Sequence, residues 1–404
     1  MTDAASTLTR ADSGSTEPVL IVGAGLAGLA AAAGLGKLGV PSEVIDGSEA
    51  VGSSWRRRYD RLRMNTCRWN ISLWFGPFPK GTPVFPTRDE FVRYMESYVS
   101  RHDLQVRFGV RVGRIDRVAD GWRLATSAGE RTAGQVVVAT GQERVPRLPD
   151  WPGRHRFPGR LLHSAEYRNP REFHGQDVLV VGSGCSGMDI AADLVQGGAG
   201  KVRLAIRTPP HIMMRNSAWG PNDILAALLQ RVPTRIGDSV DRLIRRRTVG
   251  DLAPWGIALP DEGTFTVFRR DGAQPTIIDP DVLEAIRDGG IEIVTAVSSV
   301  DADGVRLADG AHLRPDAIIA ATGFRAGLEP LVGHLGVLDR QGGPRRDRES
   351  AAGLHFLGFE GSVGVIGPRA RSAARRLCRE VASERSGAGP SRKFGARAAW
   401  SAVD

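Results

Sequence analysis

Cysteine is scarce: Cys67, Cys185 and Cys378 are the only three in 404 residues. They form no C-x-x-C pair and no Cys/His cluster at zinc spacing, which argues against a disulfide framework, a dithiol redox centre and a metal site. A reducing compartment, the cytoplasm, is the expected location. Lysine is nearly absent, at positions 37, 80, 201 and 393 only, so arginine carries the positive charge. The net charge is +9, but nine basic against three acidic residues between Arg369 and Asp404 account for six of it. The remaining body is close to neutral and lacks a basic groove, so specific nucleic-acid binding is not expected. Long apolar runs are missing too. The uncharged stretch from Pro18 to Gly36 has the length of a membrane span, yet it holds five glycines and reads as a short buried strand, a turn and a helix. No membrane span is expected.

What is present is a chain 41% hydrophobic and 25% charged, enough for two or three domains with sizeable cores. Residues 1–17 are polar and are expected to be disordered. A strand at Val19–Val22, a helix over Leu26–Leu38 and a strand at Ser42–Asp46 make a βαβ opening. A long aromatic, Arg-rich loop follows from Trp55 to Phe85; it is too long for a plain connection and is a functional candidate. Thr87 and Glu90 form a capping box ahead of the stripe Phe91, Tyr94, Met95, Tyr98, Val99 of an amphipathic helix. A small β meander leads to the apolar strand Gln135–Ala139. A second strand, glycine turn and helix start at Asp177, and another apolar strand, Ala317–Ala321, lies near the end.

Two glycine motifs carry the chemistry. Gly23, Gly25 and Gly28 follow a strand and open a helix, and Asp46 ends the next strand 18 residues past Gly28. A carboxylate there accepts hydrogen bonds from ribose hydroxyls. Gly182, Gly184 and Gly187, with Ser186 between the last two, repeat the arrangement, but the strand after them ends at Arg207, 20 residues past Gly187. A guanidinium binds a 2′-phosphate that an acid would repel. Two α/β, Rossmann-like dinucleotide sites with opposite selectivity suggest a held FAD and an exchangeable NADPH.

With these motifs in place the sequence resembles the class B flavin-containing monooxygenase family, most of all its plant YUCCA branch and that branch's bacterial relatives. Gly52-Ser53-Ser54-Trp55 is similar to the family's G-G-x-W stretch beside the flavin, departing from it at the second glycine. The run from Phe157 to Tyr167, with His163 inside it, fits the signature F-x-G-x-x-x-H-x-x-x-[YFW]. Ala139-Thr140-Gly141 and Ala321-Thr322-Gly323 are similar to the two segments that link the family's domains. The resemblance implies a discontinuous FAD domain with an NADPH domain inserted: 18–168 as its first part, 169–312 for NADPH with a substrate-capping insertion at 209–263, 313–385 as its second part, and a mobile tail at 386–404.

It also implies the activity: NADPH reduces FAD, O₂ adds at flavin C4a, and one oxygen atom enters a small organic substrate at N, S or an α-keto acid. Asn65 matches a family asparagine that faces flavin and nicotinamide and is the catalytic candidate, though a loop asparagine bonded to backbone is the plain alternative. His163 is implied to couple the domains beside the cofactors. Trp55, Tyr59, Trp69 and Trp74 are candidates to line the pocket. A Baeyer-Villiger enzyme, or a flavin and NADPH sensor without oxygenase activity, is the rival reading. Oligomeric state is not legible.

Overall fold

The computed structural model describes residues 17–218, 220–345, 351–359 and 366–385. The expected mobile tail, and the N-terminal stretch up to residue 16, lie outside the described residues, as does Glu360. The chain opens with β1 (Val19–Val22), α1 (Leu26–Lys37) and β2 (Ser42–Ile45), as the alternation of apolar run, glycine turn and Ala-rich helix predicts. After the long loop comes α2 (Arg88–Arg101). Its capping box is present: the Thr87 hydroxyl accepts from the Glu90 N–H, and the Glu90 carboxylate accepts from the Thr87 N–H at 2.8 Å. The α2 stripe is buried at Phe91, Tyr94, Met95 and Tyr98. Trp55 meets Phe91 edge-on at 5.0 Å, so this helix holds the functional loop against the first core.

β3 (Val106–Arg107), the meander β4 (Val112–Val118), β5 (Gly121–Thr126) and β6 (Gly129–Ala133), and β7 (Val136–Val138) complete the first half. β8 (Arg160–His163) and β9 (Asp177–Val181) then lead into α3 (Cys185–Gln196) and β10 (Lys201–Ala205). The region after it forms β11 (Ile212–Met214), α4 (Asn222–Leu229), α5 (Thr234–Thr248), β12 (Thr276–Ile278) and α6 (Pro280–Arg287). β13 (Ile291–Val294), β14 (Ala317–Ala320), β15 (Leu354–Phe356) and α7 (Ile366–Arg385) follow, α7 closing the described residues.

Two parallel five-stranded sheets result, ordered β15-β7-β1-β2-β3 and β13-β10-β9-β14-β8. Their central strands are apolar on both faces because helices or neighbouring layers cover both, the usual state of parallel sheets. The second sheet departs from the expected domain limits. The sequence places 160–163 and 317–320 in the two FAD segments, yet they pair with each other (Ala320 opposite His163), and 317–320 pairs with 178–181. An all-apolar strand fits the middle of either sheet, so composition does not assign it. α7 returns to the first unit and packs on α1, where a Cβ at Gly34 would stand 2.7 Å from Cys378 Sγ and 2.6 Å from Trp74. Among the described residues no helix is long and apolar enough to cross a membrane.

Thr87→Ala removes the hydroxyl that caps α2 and is expected to cost about 1 kcal/mol. Urea unfolding should show a lower midpoint at unchanged slope, whereas an unchanged midpoint would show that the cap contributes nothing.

Candidate active site

The first glycine turn is built by contact. Gly23 has φ +115°, and a Cβ on Gly28 would lie 1.9 Å from the Gly23 carbonyl oxygen, so the helix start is pressed onto the strand end. Above Gly25 there is open space, with no atom within 4 Å of where a Cβ would stand. No side chain caps α1, which leaves its first N–H groups free for an anion. Asp46 braces the turn: one carboxylate oxygen accepts from the Ala24 N–H at 2.6 Å, and the other accepts from the Ser48 N–H at 2.7 Å and its hydroxyl at 2.6 Å. A carboxylate has about four acceptor positions, so capacity for a ribose hydroxyl remains.

The second turn repeats this geometry. A Cβ on Gly187 would lie 1.8 Å from the Gly182 oxygen, Gly184 faces open space, and α3 has no side-chain cap. Arg207 is exposed just past β10 and has no hydrogen bond or ion pair among the described residues. It lines a cavity of about 490 Å³ with Ile206, Pro209, Leu307 and Asp309. Both turns therefore offer what a dinucleotide pyrophosphate needs, and only the second carries a free guanidinium beyond it.

Beside the second turn lies a cavity of about 560 Å³. Trp55, Asn65, Gly184, Ser186 and Gly323 all line it, which brings five of the residues singled out by sequence onto one space. Tyr59 joins them, buried against Tyr167. Trp69 and Trp74 do not. Trp69 is half exposed at 50%, and Trp74 stacks on Phe75 at 4.3 Å beside α1. The hydroxyl of Thr140 is buried without a partner next to the first turn, while Thr322 donates to the Arg147 carbonyl. Gly141 and Gly323 both sit at positive φ, +78° and +81°, with free space around them.

His163 holds the crossing between two strands. Its Nε2–H donates to the Gly323 carbonyl at 3.0 Å and its Nδ1 accepts from the Ala165 N–H at 3.1 Å. Both ring nitrogens are used by backbone, so only the neutral ring with its proton on Nε2 satisfies them. Burial holds its pKa below the usual 6.5.

Several groups carry no motif and escape a reading of the sequence. Arg61, from the long loop, reaches the second unit: its Nε is 3.0 Å from Asp189, and an Nη is 2.7 Å from Asp281. Tyr167 donates to Asp193 at 2.8 Å in the same cluster. Burial raises the Asp189 pKa, opposed by Arg61; burial also works on Asp281, but there Arg61 wins and the pKa falls. Asp223, on α4, lines the cavity with one oxygen accepting from the Cys67 N–H at 3.1 Å and from the Asn70 amide at 2.8 Å. Burial raises its pKa. Arg215 is 6% exposed, is paired with Asp279, and donates from an Nη to Asn65 Oδ1 at 3.1 Å. Only spatial neighbours reveal these roles; an arginine in an Arg-rich chain gives no signal by itself.

Residues 20–228 match the family model described as pyridine nucleotide-disulphide oxidoreductase. The chain is 37% identical over 317 residues to the indole-3-pyruvate monooxygenase YUCCA1 of Oryza sativa subsp. japonica, covering 76% of this chain and 77% of that protein. The chain belongs to the class B flavin monooxygenases, in their YUCCA branch. Among solved structures, a flavin-containing monooxygenase from Stenotrophomonas maltophilia superposes with a TM-score of 0.68 at 24% identity, over 91% of this chain and 98% of the other. OTEMO in complex with FAD and NADP gives 0.67 at 17%, over 91% and 84%. These two likenesses concern the fold. This YUCCA-branch chain is an oxidoreductase that uses FAD and NADPH in a monooxygenase reaction. The disulphide chemistry in the family model's name does not extend to it, because its three cysteines are free and no two are close in sequence.

The neutral His163 gives a signed pH dependence. Its folded pKa is depressed, so its contribution to stability is present above about 6.5 and is lost as pH falls through the folded value. His163→Gln, which cannot titrate, should show a smaller drop in thermal midpoint on acidification than the native chain. Equal drops would mean that His163 protonation does not matter to the fold.

Proposed function

We propose that the chain oxygenates a small aromatic α-keto acid, releasing carbon dioxide and leaving the carboxylic acid one carbon shorter. One oxygen atom of O₂ enters the former keto carbon, the other leaves as water, and NADPH supplies the electron pair. Two things support the substrate class. The YUCCA relatives are named indole-3-pyruvate monooxygenases, and the cavity walls combine apolar surface from Met64, Ile71, Met213, Ala226 and Ile277 with the cations Arg58 and Arg63. An aromatic body suits the first set and a carboxylate the second.

The observation that carries the reading is that Asn65 shares one cavity with Gly184, Cys185 and Ser186 at the start of α3, and with Gly323 and Gly358. Bound FAD supplies the centre that takes the electron pair from NADPH and activates O₂. The chain's own residues do the rest. The Gly23–Gly28 turn and Asp46 hold the FAD diphosphate and ribose, with Thr140 and Gly141 beside them. The Gly182–Gly187 turn holds the NADPH diphosphate, and Arg207 pairs its 2′-phosphate. Trp55, Tyr59 and Phe324 wall the cavity and keep water out of it. The Asn65 amide donates a hydrogen bond to oxygen atoms that become negative as the reaction proceeds. The insertion, through Met213, Asp223 and Ala226, covers the substrate. A small-molecule substrate and O₂ are the partners; a cytoplasmic location is part of the same proposal.

Asn65→Ala is expected to raise the hydrogen peroxide released per NADPH oxidised by about tenfold or more, the scale of losing one hydrogen bond to a developing charge. Peroxide and product are measured together with indole-3-pyruvate as substrate. An unchanged ratio removes Asn65 from the mechanism. Absence of any decarboxylated product from the native chain, with turnover on amine or sulfide substrates instead, would replace the keto-acid assignment.

A further inference from the structure

Arg215 occupies an unusual position for a merely structural cation. Its side chain is 6% exposed, and its Nε is buried with no hydrogen-bond partner. An arginine kept only to tie two segments together gains most when every N–H is satisfied, and a buried ion pair with an unmet donor loses against an apolar replacement. Its two remaining contacts are specific. One Nη pairs with Asp279, and the other donates to Asn65 Oδ1 at 3.1 Å.

The backbone explains how the pair is aimed. β11 and β12 run parallel with Met214 opposite Ile278, so Arg215 and Asp279 are the next residues on adjacent strands. The Arg215 N–H continues the ladder to the Ile278 carbonyl at 2.9 Å. The same two-stranded ribbon is fastened to the second dinucleotide turn. The Thr276 hydroxyl donates to the Ser183 carbonyl at 2.8 Å, and the Ile277 N–H donates to Cys185 Sγ at 3.2 Å. One two-stranded ribbon therefore touches the Gly182–Gly187 turn at one end and, through Arg215, Asn65 at the other.

A guanidinium only donates hydrogen bonds, so the Asn65 atom facing it is the carbonyl oxygen. The amide Nδ2 is then the free end, without a protein partner among the described residues, on a side chain that lines the cavity. We propose that Arg215 is a positioning residue: it fixes the Asn65 amide as a donor into the cavity and links that orientation to the second dinucleotide turn through the β11–β12 ribbon. This rests on the monooxygenase reading given above, and adds a residue outside its motifs.

The test is a double-mutant cycle on the FAD-loaded protein with Arg215→Lys, Asn65→Ala and the two combined. Two quantities are read: the dissociation constant of NADP⁺ from its perturbation of the flavin absorption spectrum, and peroxide released per NADPH oxidised. Lysine keeps a charge for Asp279 but loses the forked geometry. Each single variant should weaken NADP⁺ by about three- to tenfold, the scale of one hydrogen bond, and raise the peroxide ratio. The combined variant should be no worse than Asn65→Ala alone, because both remove one interaction. Multiplying effects would overturn the proposal, as would Arg215→Lys with native values, or Asn65→Ala with native values while Arg215→Lys is impaired. Should Arg215→Lys not retain FAD, Asp279→Asn loosens the same guanidinium and is read by the same cycle. A native protein whose flavin spectrum ignores NADP⁺ would sink this proposal and the monooxygenase reading together, whereas additivity sinks only the former.

Discussion

The structure depends on one close approach, made twice: a helix N-terminus seated directly on the carbonyl of the turn that precedes it. At Gly28 over Gly23, and again at Gly187 over Gly182, the distance leaves no room for a side chain. The consequence is chemical as much as steric. A helix start held this close to a strand end needs no side-chain cap and keeps its N–H groups pointed at whatever anion lies over the turn. The two turns are followed by different residues at the far end of the next strand, Asp46 in one and Arg207 in the other.

Specific polar contacts join the two halves, and residues of several of them line the cavity. Arg61 crosses from the long loop into the acidic cluster on α3 and α6. Arg215 crosses from the insertion to Asn65. His163 and Gly323 lock the ends of β8 and β14 where the chain changes units. In a protein that passes electrons between two bound molecules, misplacement by an ångström is costly, and polar contacts of fixed geometry set distance better than apolar packing does.

Local chemistry is legible in the sequence wherever a rule spans few residues. Both glycine turns, the Thr87–Glu90 box and the α2 stripe are found where the spacing places them, and the long loop lines the cavity. Sheet membership is not legible for 160–163 and 317–320, since an apolar run satisfies any central strand. The histidine signature locates His163, but only its two backbone partners show that it serves the strand ends. Trp69 and Trp74 fall within the right loop and outside the cavity, because aromatic content fixes a region and not a direction. Arg215 and Asp223 lie in a stretch without a motif, and their roles come from residues about 150 positions away in the chain.

The central claim is that one chain holds a flavin and a nicotinamide nucleotide so that electrons pass from the second to the first. Anaerobic titration of the purified yellow protein with NADPH tests it most directly. The flavin colour should bleach with stoichiometric NADPH, much faster than with NADH, and return on admission of oxygen. A protein that binds no flavin, or whose flavin stays oxidised under excess NADPH, would contradict it.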